Sequence, residues 1–422
     1  MTGIGQLVGQ TPLCDRRGRL VAVTSFSRQE TAVRAGVPPE VVDRYVQLGF
    51  LKPAAGDLFS SGDVRRVGVI HTVEQSGIPL EGMAEALGRG DASLAFLDSP
   101  LYGRLSMMSG TTFRQLAEQT GLPVELLMVI REAVGAGVPE PDDLVREDEL
   151  GVVPFLELAA GEGIPAEPTG RLLRVMGDSM RRVAESQARW WQVEVTNRFI
   201  ERGTRVGDIG DATIDFGVRL NQKYDQALYA IQHAHEARTW TANILEGVEA
   251  ALSHAGLYSR IDRPPAMCFL DITGYTRLTS ERGDAAAAEL ASVFSRMVQR
   301  TSAQHAGRAV KWLGDGVMFY FPDPGPGVEA ALEMVDGTAE AGLPPAHVGL
   351  HAGPVLFQEG DYFGSTVNIA ARIADYARPG EVLVSQAVVE AAPKVAAAFT
   401  EIGPVELKGV SETTRLHVAR KL

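Results

Sequence analysis

Cysteine is nearly absent: Cys14 and Cys268 are the only two in 422 residues. Two thiols without CxxC or Cys/His spacing build neither a disulfide framework nor a zinc site, which fits a reducing compartment. No apolar run approaches the ~18 residues that a transmembrane helix needs, and the N-terminus MTGIGQLVGQ has neither a basic nor an apolar leader region. A soluble, cytoplasmic protein with no membrane partner is expected. Cationic surplus is missing as well. The formal charge of −13 argues against general affinity for nucleic acid or anionic lipid, because phosphate backbones reward Lys and Arg. Phosphate-binding glycine motifs are also lacking. Gly3, Gly5 and Gly9 do not follow a strand or the GxGxxG spacing, and nothing matches GxxxxGK[ST], which excludes a P-loop. Residues 1–25 read as a flexible tail.

What is there is ordinary globular material: 45% hydrophobic and 22% charged residues, long enough for roughly three units. From Ser27 onward the chain repeats. AVRAGVPPEVVDRYVQLGFL (32–51) matches LAEQTGLPVELLMVIREAVG (116–135) at Gly36/Gly121, Pro38/Pro123 and Glu40/Glu125. SGIPLEGMAEAL (76–87) likewise matches EGIPAEPTGRLL (162–173). Each copy predicts a short helix, a Gly-[Val/Leu]-Pro turn and a second helix, since Gly supplies the turn and Pro starts a helix. The first unit, 26–98, resembles a MerR-type helix-turn-helix; the second related unit spans 105–185. DNA binding by the first unit is disfavoured by its seven Lys/Arg against ten Asp/Glu. Residues 186–261 predict a helical stalk, with Trp190, Val193, Phe199, Ile200, Leu228, Ile231, Leu245, Val248 and Leu252 recurring at three- and four-residue steps. IDRPP (261–265) then ends any helix.

From 262 to 422 short strands alternate with helices, predicting an α+β sandwich. Strands are expected at AMCFLD, in a hairpin over 308–321, and at HVGLHAG, EVLVS and TRLHVAR. Helices are expected over 285–303, 326–339 and 366–377. Asp271 ends the first strand, and Asp315 sits in the Gly-Asp-Gly turn of VKWLGDGVMFYF (310–321). Asn368 and Arg372 lie one turn apart on one helix face. Two carboxylates beside glycines suit hard divalent cations. The ITGY turn after Asp271 can direct backbone N–H groups at phosphates.

These motifs resemble the class III adenylyl cyclase catalytic domain from about 266 to 420, with six positions agreeing in type and order: Asp271, Lys311, Asp315, Asp361, Asn368 and Arg372. The resemblance implies a class III cyclase sandwich preceded by an all-α regulatory region of tandem helix-turn-helix-like units. It implies that ATP is converted to 3′,5′-cyclic AMP and pyrophosphate at a site shared between two protomers of a homodimer. Asp271 and Asp315 would hold two Mg²⁺ or Mn²⁺ ions per site, assisted by the Ile272 carbonyl. Lys311 and Asp361 would read adenine, Asn368 would orient the ribose, and Arg372 would stabilise charge at phosphorus. The Tyr275 and Thr276 region and Lys408 would touch the phosphates. Related bacterial cyclases often carry an arginine just before the Gly-Asp of GDYFG; here Gln358 and Glu359 stand instead. Control by pH, through His233, His235 and His254, or by a small molecule in the helical units is expected. The alternatives are a DNA-binding regulator using a cyclase-like domain for dimerisation or nucleotide sensing, and a guanylyl cyclase, which Lys311 and Asp361 oppose.

Overall fold

Ser27 opens the first helix by accepting a hydrogen bond from the Glu30 amide while the Glu30 carboxylate accepts from the Ser27 amide. Thr112 and Gln115 repeat the arrangement at the start of Phe113–Thr120. These are capping boxes, which satisfy amides that a helix start leaves without partners. Gly36 and Gly121 end the two helices at φ of 70° and 73°, a left-handed conformation that glycine adopts without a Cβ clash. The second helices, Pro39–Gln47 and Val124–Ala133, follow.

The computed structural model describes residues 12–14, 20–22, 25–105, 107–258, 264–274 and 283–422. It divides into Met1–Asn243 and Ile244–Leu422. In the first unit each helix pair is accompanied by a two-stranded sheet, Ser25–Phe26 with Phe59–Ser60 and Met108–Thr112 with Leu144–Arg146. Separate cores form around Val42, Tyr45 and Ile70 and around Phe113, Leu127 and Ile130. Where residues 1–25 were expected to be a tail, Pro12–Cys14 pairs antiparallel with Leu20–Ala22. The expected stalk boundary at 186 falls inside one helix, Ala166–Trp191, which turn propensity alone does not mark. The stalk itself is interrupted: Gly203 takes φ of 93°, and a new helix runs from Ile209 to His254.

The second unit is the α+β sandwich, with a seven-stranded sheet. Its order is Ala397–Val405, Thr414–Lys421, Val382–Ser385, Ala346–Ala352, Ala266–Ile272, Gly316–Phe321 and Arg308–Leu313. Ala266–Ile272 is an interior strand, and alternation splits its side chains between two faces. Ala266, Cys268, Leu270 and Ile272 pack with Phe294, Val298, Val328 and Met334 from the helices Asp284–Gln304 and Pro324–Glu340. Met267 and Phe269 face the other way, toward Ala370 of the helix Ser365–Tyr376. That helix sits directly on Gly349, where an added Cβ would come within 2.1 Å of the Ala374 amide nitrogen. The strand Ala397–Val405, the hairpin of Leu356–Gln358 with Asp361–Phe363, and the helix Gln386–Ala391 lie beyond the elements expected from sequence.

Candidate active site

Asp271 belongs to the alternation series of Met267 and Phe269, so its carboxylate emerges at the end of the strand Ala266–Ile272 on the face of Ser365–Tyr376. Its partner in the neighbouring strand is Gly316, and a Cβ there would come 3.2 Å from Asp271 Oδ1. Glycine keeps that space beside the carboxylate open. Burial pushes the Asp271 carboxyl above its usual range, and the charge of Asp315 in the adjoining turn adds to the effect. Two neighbouring carboxylates are an oxygen donor set suited to a divalent cation, which relieves the repulsion between their charges. Among the described residues no group of three His, Cys, Asp or Glu side chains is placed to hold a metal. A cation here would therefore rest on this pair plus backbone, substrate or water oxygens. The Ile272 backbone directly follows Asp271 in the same strand.

Lys311 reaches its position through an irregularity. Ala309 pairs with Phe319 and Lys311 with Met318, leaving Val310 as an extra residue. Strict alternation would put Lys311 on the face of Ala309, among the Phe294 core. The bulge turns it to the opposite face, where Val310 already packs with Met267 and Tyr362. There Lys311 forms an ion pair with Asp361. Asp361 is held in turn by the hairpin that the sequence left unassigned. Glu359 and Gly360 take φ of 53° and 78°, the sign required of a two-residue hairpin loop, and Gln358 pairs with Asp361 across it. Tyr362 stacks on Tyr320 with ring centroids 4.6 Å apart, and the Arg308 guanidinium lies 5.3 Å from the Tyr362 ring centre. Asp361 Oδ1 also accepts from the Tyr362 amide at 2.8 Å.

Arg372 is ion-paired with Asp375 at 2.7 Å on its own helix. Asn368 lines a cleft of about 440 Å³ with His351, Ser385, Gln386 and the segment 409–415. Exposed Lys408 immediately precedes that segment. Tyr275 and Thr276 lie outside the described residues. One chain thus joins Lys311 to Asp361 and sets Asp271 beside Asp315, while Arg372 is bound to Asp375. Sequence reading missed His347. It stands opposite Asp271 in strand register, and only the pairing of Ala346–Ala352 with Ala266–Ile272 reveals the neighbour.

The same stretch matches a family model. Residues 259–419 fit the adenylate and guanylate cyclase catalytic domain. This part of the chain is similar to that catalytic domain. Similar proteins extend beyond it. The pH-sensitive adenylate cyclase MT1302 of Mycobacterium tuberculosis is 28% identical over 323 residues, 73% of this chain and 77% of that protein. An adenylate cyclase of Streptomyces coelicolor is 27% identical over 280 residues, 65% of this chain and 70% of that one. Among solved structures, the cyclase domain resembles the adenylyl cyclase CyaB from P. aeruginosa at 19% identity and a TM-score of 0.35, covering 38% of this chain and 95% of that chain.

Proposed function

We propose that the protein is an adenylyl cyclase converting ATP to 3′,5′-cyclic AMP and pyrophosphate. The observation that carries this reading is the Lys311–Asp361 pair, a donor and an acceptor side by side on one face of the sheet. Adenine presents an acceptor at N1 and a donor at its exocyclic amine; guanine presents the reverse. Lys311 donates to N1 and Asp361 accepts from the amine, so the two exchange each other for the base. The exchange costs little, since a partly exposed ion pair contributes about 0–1 kcal/mol. Two relatives carrying the name adenylate cyclase support the same substrate.

In this reading Asp271 and Asp315, with the Ile272 carbonyl, hold two Mg²⁺ or Mn²⁺ ions. When bound, the ions lower the pKa of the ribose 3′-hydroxyl and neutralise charge around the α-phosphorus. Asn368 orients the ribose. Arg372 leaves Asp375 to face the phosphorus, where a fixed cation stabilises developing charge. Lys408 and the Tyr275–Thr276 region hold the outer phosphates.

The site is shared in a homodimer, with the acid pair from one copy and Lys311, Asp361, Asn368 and Arg372 from the other. Exposed Trp312 and Leu313 on the edge strand, with Leu356, Phe357 and Phe363 on the separate hairpin, support a contact surface there. Residues 1–258 regulate the cyclase, in keeping with the word pH-sensitive in the name of the Mycobacterium relative. DNA binding is the weaker reading. Arg28, Arg34, Arg44, Arg66 and Arg89 are ion-paired within the chain, and Arg65 donates to the Leu97 carbonyl. No helix among the described residues is long and apolar enough to cross a membrane.

The test is substrate preference. Lys311→Glu combined with Asp361→Cys should lower the ATP/GTP ratio of kcat/KM by at least tenfold, the effect of about 1.4 kcal/mol. An unchanged ratio in a still-active double variant means that the base is read elsewhere.

A further inference from the structure

We infer that His347 is a positioning residue for Asp271, an inference that rests on the reading of Asp271 as a metal-holding carboxylate. The two residues face each other in the antiparallel pairing of Ala346–Ala352 with Ala266–Ile272. The His347 side chain is only 14% exposed, so its ring has little freedom to turn. Its Nδ1 lies 3.2 Å from Thr273 Oγ1, and its Nε2 lies 3.8 Å from Asp271 Oδ2. Thr273 is itself tied down, since its amide donates to the Pro345 carbonyl at 3.1 Å.

These contacts form a closed bracket. With the Thr273 hydroxyl donating to Nδ1, the ring proton sits on Nε2, on the side of the carboxylate. At 3.8 Å the Nε2–H acts on Asp271 through its dipole, and a small rotation of the Asp271 side chain, which is 45% exposed, brings the two into a direct hydrogen bond. The carboxylate is thereby kept from swinging away from Asp315, which repels it. A side chain that orients a metal-holding group in this way typically changes metal affinity 10–100-fold when it is removed. The same ring also contacts Thr273, at the start of the ITGY segment. No feature of the sequence near His347 announces this role.

The experiment measures the Mn²⁺ concentration that half-saturates the full-length protein in the presence of an ATP analogue lacking the 3′-hydroxyl, followed by electron paramagnetic resonance. His347→Phe keeps the ring volume and removes both nitrogens; it should raise that concentration at least tenfold. His347→Gln returns an N–H near the Nε2 position and should stay within a few-fold of the parent protein. Thr273→Val, which preserves shape and removes only the hydroxyl, should weaken Mn²⁺ binding in the same direction and remains informative where His347→Phe fails to fold. Melting temperature is recorded for each variant, since a merely structural histidine would lower it and leave Mn²⁺ affinity unchanged. Asp271→Ala separates the two levels. If it loses Mn²⁺ while folded His347→Phe and Thr273→Val bind as the parent does, the metal reading stands and the positioning role is overturned. If Asp271→Ala also binds Mn²⁺ normally, the metal reading falls and takes the role of His347 with it.

Discussion

His351 is a partly buried histidine that its surroundings keep neutral. Its Nδ1 lies 2.8 Å from Ser385 Oγ, and burial pushes its pKa from 6.5 down to about 4. The sign of the consequence follows from linkage. Between about 6.5 and about 4 the unfolded chain binds a proton at this position and the folded one does not, so stability is complete above that window and falls as pH drops through it. The full effect approaches ~3 kcal/mol, at 1.36 kcal/mol per pKa unit. The melting transition of the cyclase domain should therefore fall steeply from pH 6.5 to 4 in the full-length protein. His351→Asn, which keeps a polar partner for Ser385 and has no basic nitrogen, should show a shallower fall. Parallel curves for the two proteins would mean that His351 does not couple protonation to folding. Cys268, also buried, shows the same physics with the opposite sign: burial holds its thiol protonated far above the usual range, so it is inert.

At the scale of elements, the buried residues of the helix Ile209–His254 lie near its start. Thr213 and Gly217 are its buried residues. A Cβ at Gly210 would strike Phe96 at 2.4 Å, and one at Gly217 would strike Leu101 at 2.5 Å, so this end packs closely on the stretch that holds Phe96 and Leu101. Beyond it Tyr229, Ile231, Trp240, Ile244 and Leu245 are exposed. His233 stands among them, with its ring 4.3 Å from Tyr229 and its Nδ1 3.4 Å from Glu236. His235 and His254 are exposed on the same helix. Histidine is the side chain type whose charge can respond to mild acidification. If this helix senses pH for the cyclase, replacing His233, His235 and His254 with Gln in the full-length protein should flatten the profile of specific activity between about pH 5.5 and about pH 8. The rates must be taken where the protein is fully folded, which separates this effect from His351. A profile identical to that of the parent protein would remove these histidines as the sensor.

For the whole molecule, the proposed shared site makes a prediction that no single-chain arrangement reproduces. Asp271→Ala damages the half-site with the acid pair, and Arg372→Ala damages the other half. Each protein alone should have very low activity. A mixed dimer carries both lesions in one of its two sites and neither in the other. With free subunit exchange half of the dimers are mixed, so activity should recover to about a quarter of the parent value if the active sites act independently. Confirmed mixed dimers with no activity would rule out a shared site.

The amino-acid sequence by itself determined the local devices of this protein. Ser27 and Thr112 cap helices, Gly36 and Gly121 end them, and Pro38 and Pro123 start the next ones, because caps and turns depend on residues within one turn of each other. The Gly-Asp-Gly turn around Asp315 and the helix carrying Asn368 and Arg372 were legible for the same reason. The tertiary structure decided what depends on pairing between distant segments. The strand Ala397–Val405 forms because it pairs with Thr414–Lys421, and its exposed, weakly patterned residues do not announce it. The bulge at Val310 reverses the face of Lys311, and one residue of register governs every side chain beyond it. The stacking of Tyr362 on Tyr320 sets Asp361 beside that lysine from 50 residues away. His347 meets Asp271 only because two strands align there, and the ladder of backbone hydrogen bonds that aligns them is specified by the packing of both sheet faces together.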